Sequence, residues 1–561
     1  MFCKQLMDRL SNNKIMLFLT VWVLLFIIYL PAVNSGFVGD FTGWLDQVRS
    51  ISFEEFVNRK HFDQKSFYQF TQIATWVFYK IWGGNPFMWH CLHITIQSFN
   101  TLLLAILCKN IFEDSGIADA AAISLCGAVL FCISPCLSES IVWEPAYHFL
   151  QGLLFIVLIL YWLQRFLRTA QAKYAWLACT AFFCSVYSLE MFYITPWLAL
   201  SLIIYYRYAL AWDKTITQKA FLYFFIPLIS IFIFYIFQFH FVYHTWLAHI
   251  GTDTNNQAPA LSFGKPAKYL FHILFLGRFF SHNFRQAVYT FCDSSNGLFI
   301  FYGLLSIYLI FIAFRFKKWS GKAKALSLLF VWICLIFGVL LPLWFPDLQL
   351  VNFDRYTIFI NAFLFMFISL LFSFITIKYL KTVLFVLFAC INLRYTIQVN
   401  RYWMKSTGII NDLLDAFPDP GTKIPLLLDL PDNMNGIPMI GASDESEFKL
   451  MLKLFRPEKK NISNIYDVCS FNMLTPKDGA HINVLNDSTA NITLNQWGTW
   501  WWYNSFGAVS YENAGYRVNM IDEGHYYQLT LKHNNEKYLL LYQVAGKWKT
   551  VNWNLKNSDQ Y

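Results

Sequence analysis

The feature that most constrains this chain is a series of apolar runs, each close to the ~20 residues that a helix needs to cross a membrane. Hydrophobic residues make up 57% of the 561-residue sequence and charged residues only 14%, which excludes an ordinary soluble protein. The pattern predicts an α-helical polytopic membrane protein. Its eleven predicted spans lie near 15–33, 86–108, 119–137, 147–166, 174–190, 192–209, 219–240, 297–315, 324–343, 356–377 and 382–400.

The distribution of positive charge predicts the orientation of these spans. Lysine and arginine concentrate in alternate connections such as 165–173 and 315–324, whereas the short opposite loops at 138–146 and 344–355 contain only Arg355. The positive-inside rule then places the amino terminus in the cytoplasm. Eleven crossings put the chain beyond about residue 400 on the outer face. The positive-inside rule therefore accounts for the formal charge of +9 without a nucleic-acid partner. The sequence contains no nucleic-acid motif.

Composition divides the chain into two predicted domains. Residues 1–400 form the membrane domain, with long outer-face loops at 34–84 and 241–296. Residues 401–561 are polar, and runs such as "HYYQLTLK", "KYLLLYQVA" and "KWKTVNW" alternate as antiparallel strands do. A helix is expected over about 443–455. We therefore predict an outer-face α+β domain after the membrane domain.

The two long loops contain the unusual polar residues. The first begins with "NSGFVGDFTGWLDQ", in which Asp40 lies just outside the first span, and it continues with aromatic, half-polar segments typical of helices at a membrane interface. The second places four cations among aromatic residues: Lys265, Lys268, Arg278 and Arg285. A membrane enzyme that uses a phosphate-linked lipid needs such cations at the headgroup level.

Histidines in the second loop invite a metal-site interpretation. His240, His244 and His249 fall near helical spacing and His282 follows, but no further ligands stand at a recognisable spacing. Packed or interfacial histidines are the favoured interpretation. We predict no metal ligands from the sequence alone.

Four sequence blocks resemble the GT-C superfamily of integral-membrane glycosyltransferases, and within it the branch of protein O-mannosyltransferases and transmembrane-and-TPR mannosyltransferases. "GFVGD" is similar to that branch's first-loop "FVxDD", and "WGGNPFMWHCLHITIQSFNTLLL" to its entry into the second span. "SPCLSESIVWEPAYHFLQGLLF" resembles "HPxxxEAVxWxxGRxxLLxxLF", and "DRYTIFINAF" resembles "ERYLYLPSxGF". A fifth and weaker block, "SLEMFYITPWLAL", resembles "SKExxxxxPxxL". The resemblance covers roughly the first 400 residues. The sequence shows no TPR repeats, which points toward the bacterial members of the branch.

The resemblance implies an inverting transfer of a sugar from a polyprenyl-phosphate donor to a glycan, lipid or protein acceptor, at the outer face of a bacterial inner membrane. It implies Asp40 as the catalytic residue, acting as the base or as an anchor for the acceptor. The implied substrate-binding residues are Glu139, Trp143, Glu190, Lys268, Arg278, Arg285, Arg355 and Tyr356, with Arg355 first for the phosphate. Some relatives use a divalent metal ion held partly by the first-loop acids, so such an ion is a possible cofactor here.

Three positions depart from the family pattern. Phe41 stands in place of the second first-loop acid, Tyr147 in place of an arginine, and Leu189 in place of a lysine. These departures keep a second interpretation open, in which the chain is a noncatalytic assembly protein with the same fold. A transporter or flippase of lipid-linked saccharides is the third, although the charges lie at the outer edge of the spans and not at mid-membrane.

Each site residue also has a local alternative. Asp40 could cap a helix that begins near Phe41, Glu139 could cap the fourth span, and Arg355 could pair with Asp354. The tryptophan-rich run "NQWGTWWWYNSFG" suits sugar stacking, a domain core or a membrane interface. Packing or interface is the favoured interpretation of that run.

Overall fold

The computed structural model of the chain describes residues 13–58, 67–244, 246, 263–315, 319–341, 354–442, 446–459, 464–494, 501–502, 509–522 and 526–553. For Asp40, His282, residues 311–315, Lys378 and Trp502, the backbone alone is described. The chain divides into two compact units. One contains Met1–Val33 and Phe53–Val399, and the other contains Asn34–Ser52 and Asn400–Tyr561.

The first unit is helical, as its composition predicts. In chain order the helices of the described chain are α1 (Lys14–Tyr29), α2 (Asp40–Ser50), α3 (Phe53–Asn58), α4 (Gln69–Trp82), α5 (Pro86–Asp114), α6 (Ala120–Cys132), α7 (Ser138–Val142), α8 (Tyr147–Thr169), α9 (Lys173–Val186), α10 (Thr195–Ile204), α11 (Lys214–Ala220), α12 (Ile226–Tyr243), α13 (Lys265–Leu274), α14 (His282–Asp293), α15 (Ser295–Arg315), α16 (Gly321–Leu340), α17 (Ile358–Phe372), α18 (Lys378–Asp415) and α19 (Glu447–Phe455). Helices α2 and α19 belong to the second unit, and α18 contributes residues to both.

Six helical segments of the described chain are long and apolar enough to cross a membrane: Pro86–Asp114, Glu144–Thr169, Lys214–Tyr243, Gly321–Leu340, Asp354–Phe372 and Tyr379–Asp415. A seventh candidate, Ala120–Cys132 with Pro135–Val142, is bent by 59° at its break. This confirms a multi-pass helical membrane protein. The predicted runs at 15–33, 174–190 and 192–209 also fall on helices, but these are shorter than a straight span requires.

Helix α5 lies at the centre of the first unit and packs against α1, α6 and α8, while α17 packs against α6 and α16. Close approach depends on small residues where α6 meets α17 and where α8 meets the turn Glu190–Ile194. A Cβ atom on Gly127 would lie 2.5 Å from the Met366 sulfur, and one on Gly152 would lie 1.6 Å from the Phe192 ring. Small residues at such positions are a known means of bringing membrane helices together.

The second unit is an α+β domain, as predicted. Its described strands are β1 (Ile424–Leu427), β2 (Leu430–Met434), β3 (Ile437–Pro438), β4 (Tyr466–Asp467), β5 (Ser470–Met473), β6 (Ala480–Asn486), β7 (Thr489–Leu494), β8 (Trp501–Trp502), β9 (Tyr511–Glu512), β10 (Tyr516–Ile521), β11 (Tyr526–Leu531), β12 (Tyr538–Val544) and β13 (Lys547–Thr550). In the described chain they form sheets in the orders β13-β12-β1-β4, β3-β2-β5-β8 and β6-β7-β11-β10-β9.

The three strand runs singled out in the sequence correspond to β11, β12 and β13. Strand β11 is antiparallel to both of its neighbours, and β12 is antiparallel to β13. The prediction of antiparallel strands is incomplete, however, because β12 also runs parallel to β1. These two strands lie far apart in the sequence, so no local pattern reports their pairing.

Residues 34–52 do not group with the rest of the predicted first loop. Helix α2 packs against α19 within the second unit, and the Phe37 and Phe455 rings stack with their centroids 6.4 Å apart. Lys453 Nζ donates to Asp46 at 2.9 Å. An aromatic contact from the segment just before α2 and an ion pair from α2 itself thus join residues 34–52 to α19.

Of the tryptophan-rich run, Trp497 and Trp500 lie outside the described residues. Trp501 is fully buried, and its ring is 4.8 Å from that of Tyr527. Core packing is therefore the role of Trp501.

Candidate functional site

The site is built around one short turn, Asp354–Thr357, which leads directly into α17. Its first two side chains have different partners. Asp354 accepts a hydrogen bond from His272 Nε2 at 2.6 Å through one carboxylate oxygen and from Arg278 Nη2 at 2.5 Å through the other. Arg355 instead pairs with Glu139. The sequence left open a local pair between Arg355 and Asp354. The described contacts of the Asp354 carboxylate are instead with His272 and Arg278.

Glu139 receives two hydrogen bonds from Arg355. The backbone amide of Arg355 donates to Oε2 at 2.8 Å, and Nη1 of its guanidinium group donates to Oε1. Glu139 is 2% exposed and Arg355 is 14% exposed at their side chains. A guanidinium group has five N–H donors, so the contact with Glu139 uses one edge of the group.

Two aromatic rings flank the Arg355 guanidinium. Its central carbon lies 4.8 Å from the Trp143 ring centroid and 5.0 Å from that of Tyr356. Contacts of this length stabilise a cation through the negative face of the ring. Four residues that the sequence assigns to substrate binding therefore meet at one place: Glu139, Trp143, Arg355 and Tyr356.

A break in a membrane-length helix presents Glu139 and Trp143. Pro135 opens a 3-10 turn after α6, the short α7 contains Glu139, and Trp143 has an extended backbone before α8 begins. Such a break frees backbone carbonyl groups that need partners in an apolar environment. His90 contacts the Val142 carbonyl oxygen at 2.8 Å, and His93 contacts that of Ile141 at 2.9 Å.

These two histidines explain part of the second sequence block. They stand three residues apart on α5 and therefore on one face of that helix. His90 also contacts the Val33 carbonyl oxygen at 2.8 Å and Glu144 Oε1 at 3.1 Å. His90, His93 and Glu144 thus support the break that holds Glu139, which is a structural role.

The predicted cations of the second loop lie on α13, α14 and the turn between them. Through its pair with Asp354, Arg278 is linked to the site cluster, by which we mean Glu139, Trp143, Asp354, Arg355 and Tyr356. Arg285 Nη1 lies 3.5 Å from the Arg278 carbonyl oxygen. Burial lowers the pKa of the Arg285 guanidinium, and the neighbouring charge of Arg278 acts in the same direction. Lys268 donates to Asp293 and lies 5.8 Å from the Tyr289 ring.

Tyr269 is a member of the cluster that the sequence did not indicate. Its side chain is fully buried, and burial raises its pKa well above the ordinary value. Tyr356, Arg355, Asp354 and Glu139 all lie within electrostatic range of it. An aromatic residue one position after Lys268 carries no local signal for this role.

Glu190 has different surroundings. It opens the turn Glu190–Ile194 and accepts a hydrogen bond from the Tyr68 hydroxyl at 3.4 Å. The Tyr68 ring lies 6.2 Å from that of His148. The role of Glu190 in the sugar or acceptor site remains a sequence-based prediction.

The predicted base Asp40 is the first residue of α2 and follows Gly39, whose φ of 60° favours glycine. The Asp40 side chain lies outside the described residues. Phe41 is 1% exposed, and its ring centroid lies 5.1 Å from that of Phe37. Phe41, at the position of the family's second acid, is therefore a core residue and cannot serve there as a metal ligand.

One set of metal-ligand types does converge in the first unit. Cys136, His272 and Asp354 place one ligand atom each within 4.8 Å of one another, and all three are buried. The sequence could not indicate this set, because its members lie in three distant segments. Of the histidines considered from sequence, His240 stacks on Trp246 at 3.9 Å, and His249 lies outside the described residues.

No protein-family model matches the chain. No curated protein matches it in sequence. Among solved structures it is similar to the Archaeoglobus fulgidus oligosaccharyltransferase in the apo form, at 13% identity and TM-score 0.36 over 73% of this chain and 62% of that chain. The chain therefore spans less than two thirds of that protein.

It is also similar to ArnT from Cupriavidus metallidurans bound to undecaprenyl phosphate, at 10% identity and TM-score 0.38 over 82% of this chain and 92% of that chain. A third match is the Archaeoglobus fulgidus oligosaccharyltransferase AglB in complex with an inhibitory peptide and a dolichol-phosphate, at 13% identity and TM-score 0.35 over 73% of this chain and 62% of that chain. At these identities and TM-scores, the matches do not assign the chain to a family.

Proposed function

We propose that this protein is an inverting GT-C glycosyltransferase that moves a sugar from a polyprenyl-phosphate donor to a glycan, lipid or protein acceptor. The observation that carries the proposal is the convergence of Glu139, Trp143, Arg355 and Tyr356. These residues come from two sequence blocks more than 200 positions apart, and the same blocks carry the resemblance to glycosyltransferases.

Arg355 is the proposed ligand of the donor phosphate. Departure of a phosphate from the sugar builds negative charge on its oxygens, and a guanidinium group can stabilise that charge with parallel hydrogen bonds. Trp143, Tyr356 and Glu139 fix the plane of the Arg355 group, which reduces the reorganisation needed when the donor binds. Arg278, which pairs with the neighbouring residue Asp354, and Arg285 are the proposed secondary cations for the phosphate.

Asp40 is the proposed catalytic base, and this assignment rests on the first-loop resemblance alone. A single displacement at the sugar carbon requires that the acceptor hydroxyl lose its proton, and a carboxylate within hydrogen-bond distance can accept it. With Phe41 in the position of the second acid, one carboxylate performs this step. Glu190 is proposed to contact the sugar or the acceptor.

We place the reaction at the outer face of a bacterial inner membrane, with the amino terminus cytoplasmic and the second unit outside. The charge distribution between the spans supports this orientation. The partners are then a polyprenyl-phosphate sugar, the acceptor and the surrounding membrane lipids.

The experiment is sugar transfer by the purified protein from a panel of radiolabelled polyprenyl-phosphate sugars. Asp40→Asn is compared with Asp46→Asn, which changes an acid on the same helix that is paired with Lys453. Arg355→Lys is compared with Arg168→Lys, where the arginine pairs with Asp114 in a cytoplasmic connection. We expect Asp40→Asn and Arg355→Lys to lose at least ~100-fold in rate, while both controls keep theirs. Equal turnover by wild type and Asp40→Asn would remove the base assignment.

A noncatalytic assembly protein is the second candidate, and the three departures from the family pattern favour it. Phe41, Tyr147 and Leu189 are all buried, and the Tyr147 hydroxyl donates to the Thr71 carbonyl oxygen at 2.5 Å. Each position thus serves packing in this chain. No turnover with any donor in the panel, by a protein that is folded and binds polyprenyl phosphate, would favour this candidate.

A further inference from the structure

The ends of three separate segments bring a thiol, an imidazole and a carboxylate together inside the first unit. Cys136 lies in the turn after α6, His272 lies on α13, and Asp354 opens the turn before α17. They are 3%, 1% and 1% exposed, respectively. One potential ligand atom of each lies within 4.8 Å of the other two, a separation that a single metal ion can bridge.

A second observation points to a ligand at this place. Among the residues that the structure describes, His272 Nδ1 and the hydroxyl oxygen of Tyr29 are buried without a hydrogen-bond partner. Tyr29 lies within electrostatic range of both Cys136 and Asp354. Buried polar atoms are nearly always paired in folded proteins, so two unpaired atoms on residues in or near this group are consistent with a partner that is not a protein atom.

The kinds of ligand select the kind of ion. Magnesium and calcium prefer all-oxygen ligands, whereas a set of sulfur, nitrogen and oxygen is typical of zinc and its neighbours. Asp354 adds a feature common to metal sites: its second oxygen accepts from Arg278 at 2.5 Å, which orients the carboxylate. A thiol binds as the thiolate, so binding releases the Cys136 proton to solvent.

We propose that Cys136, His272 and Asp354 form a structural site for a zinc-class divalent ion. The ion joins α13 and the turns at Pro135–Leu137 and Asp354–Thr357. The turn Pro135–Leu137 leads into α7, which contains Glu139, and the turn Asp354–Thr357 contains Arg355. The ion thereby fixes the positions of that pair without contacting substrate. This site does not include Asp40, and it differs from the first-loop ion that the family resemblance suggests.

The first test is the metal content of the full-length protein purified in detergent without chelators, then exposed to zinc and dialysed. Mass spectrometry should find about one zinc per chain. Cys136→Ser and His272→Ala should each reduce bound zinc by at least roughly tenfold. Cys132→Ser is the matched control, because Cys132 is equally buried four positions earlier and donates to Thr101. Its zinc content should equal that of wild type.

The second test uses wild type alone, so that it does not depend on the folding of any variant. Cobalt replaces zinc, and a thiolate ligand should produce a near-ultraviolet charge-transfer band. Wild-type protein without bound zinc and without this band would overturn the inference, as would equal zinc loss in Cys132→Ser and Cys136→Ser. Asp354 would then be only the centre of an ion-pair cluster. Bound zinc in a protein that transfers no sugar would support this inference while it contradicts the proposed function.

Discussion

Two neighbouring residues with opposite charges, Asp354 and Arg355, join separate parts of the first unit. Asp354 pairs with His272 and Arg278, and Arg355 forms an ion pair with Glu139. A buried charge that loses its partner keeps the cost of leaving water without the compensating attraction. The stability of this region should therefore depend on each pair being intact.

Glu139→Gln should destabilise the protein by about 3–5 kcal/mol, because Arg355 loses an ionic partner at a mostly buried site. The matched control is Glu113→Gln. Glu113 is 46% exposed and lies 3.8 Å from Lys109, so its removal should cost less than about 1 kcal/mol. Thermal unfolding in detergent measures both. Equal shifts in the two variants would contradict the buried-pair interpretation.

In the second unit, Asp467 should make stability depend on pH. Burial raises the pKa of Asp467 to about 7, while the Ser446 hydroxyl donates to its Oδ1 at 2.6 Å. The folded state therefore binds this proton more tightly than the unfolded state, whose pKa is ~3.9. The stabilisation is complete below about pH 4, and it is lost at up to ~1.4 kcal/mol per pH unit as the pH rises to 7.

The measurement is the unfolding temperature of the full chain between pH 5 and 8. We expect it to fall with rising pH in wild type and to fall less in Asp467→Asn. Asp487→Asn, at an exposed position in the turn between β6 and β7, is the control and should follow wild type. Parallel curves for wild type and Asp467→Asn would exclude this residue as the cause.

At the scale of elements, the break between α6 and α8 is the feature that creates the site. A continuous helix would keep Glu139 within a regular hydrogen-bond ladder. The break instead exposes carbonyl groups, which His90 and His93 on α5 satisfy. Helix packing around the break is close, particularly where α8 meets the turn Glu190–Ile194 at Gly152 and Phe192.

Gly152→Ala should destabilise the protein by at least ~1–3 kcal/mol, because the new Cβ would lie 1.6 Å from Cζ of the fully buried Phe192. Gly303→Ala on α15 is the control, since a Cβ there has no neighbour within 4 Å. Alanine is the better helix former, so this control should be neutral or slightly stabilising. Detergent unfolding measures both variants, and a neutral Gly152→Ala would show that α8 can move away from the turn.

At the scale of the whole molecule, the open question is topology. Six described segments meet the length and hydropathy needed for a span, and the bent pair adds a seventh. The proposed orientation rests on charge, because lysine and arginine are concentrated in alternate connections. It places exposed residues such as Lys173 in the cytoplasm and Lys477 outside.

We expect Lys477→Cys to react with a membrane-impermeant maleimide in spheroplasts, above the level of the wild-type cysteines. Lys173→Cys should react only after the membrane is permeabilised. The reverse pattern would contradict the assigned orientation. Labelling of both cysteines in intact spheroplasts would place both positions outside. This result would contradict an odd number of membrane crossings between Lys173 and Lys477.

The sequence by itself determined the helical membrane region, the α+β region that follows it, and the helix and strands of the latter. These depend on local hydrophobic period and length, which short stretches of sequence contain. The motif blocks also named Glu139, Trp143, Arg355 and Tyr356.

Tertiary structure alone decided the rest. It brought Cys136, His272 and Asp354 together, added Tyr269 to the cluster, paired β12 with β1, and made Phe41 a core residue. The first three of these contacts join segments far apart in the sequence, and all four depend on which apolar surfaces pack together. No local period encodes that choice, because packing is a property of the assembled helices and sheets and not of any one segment.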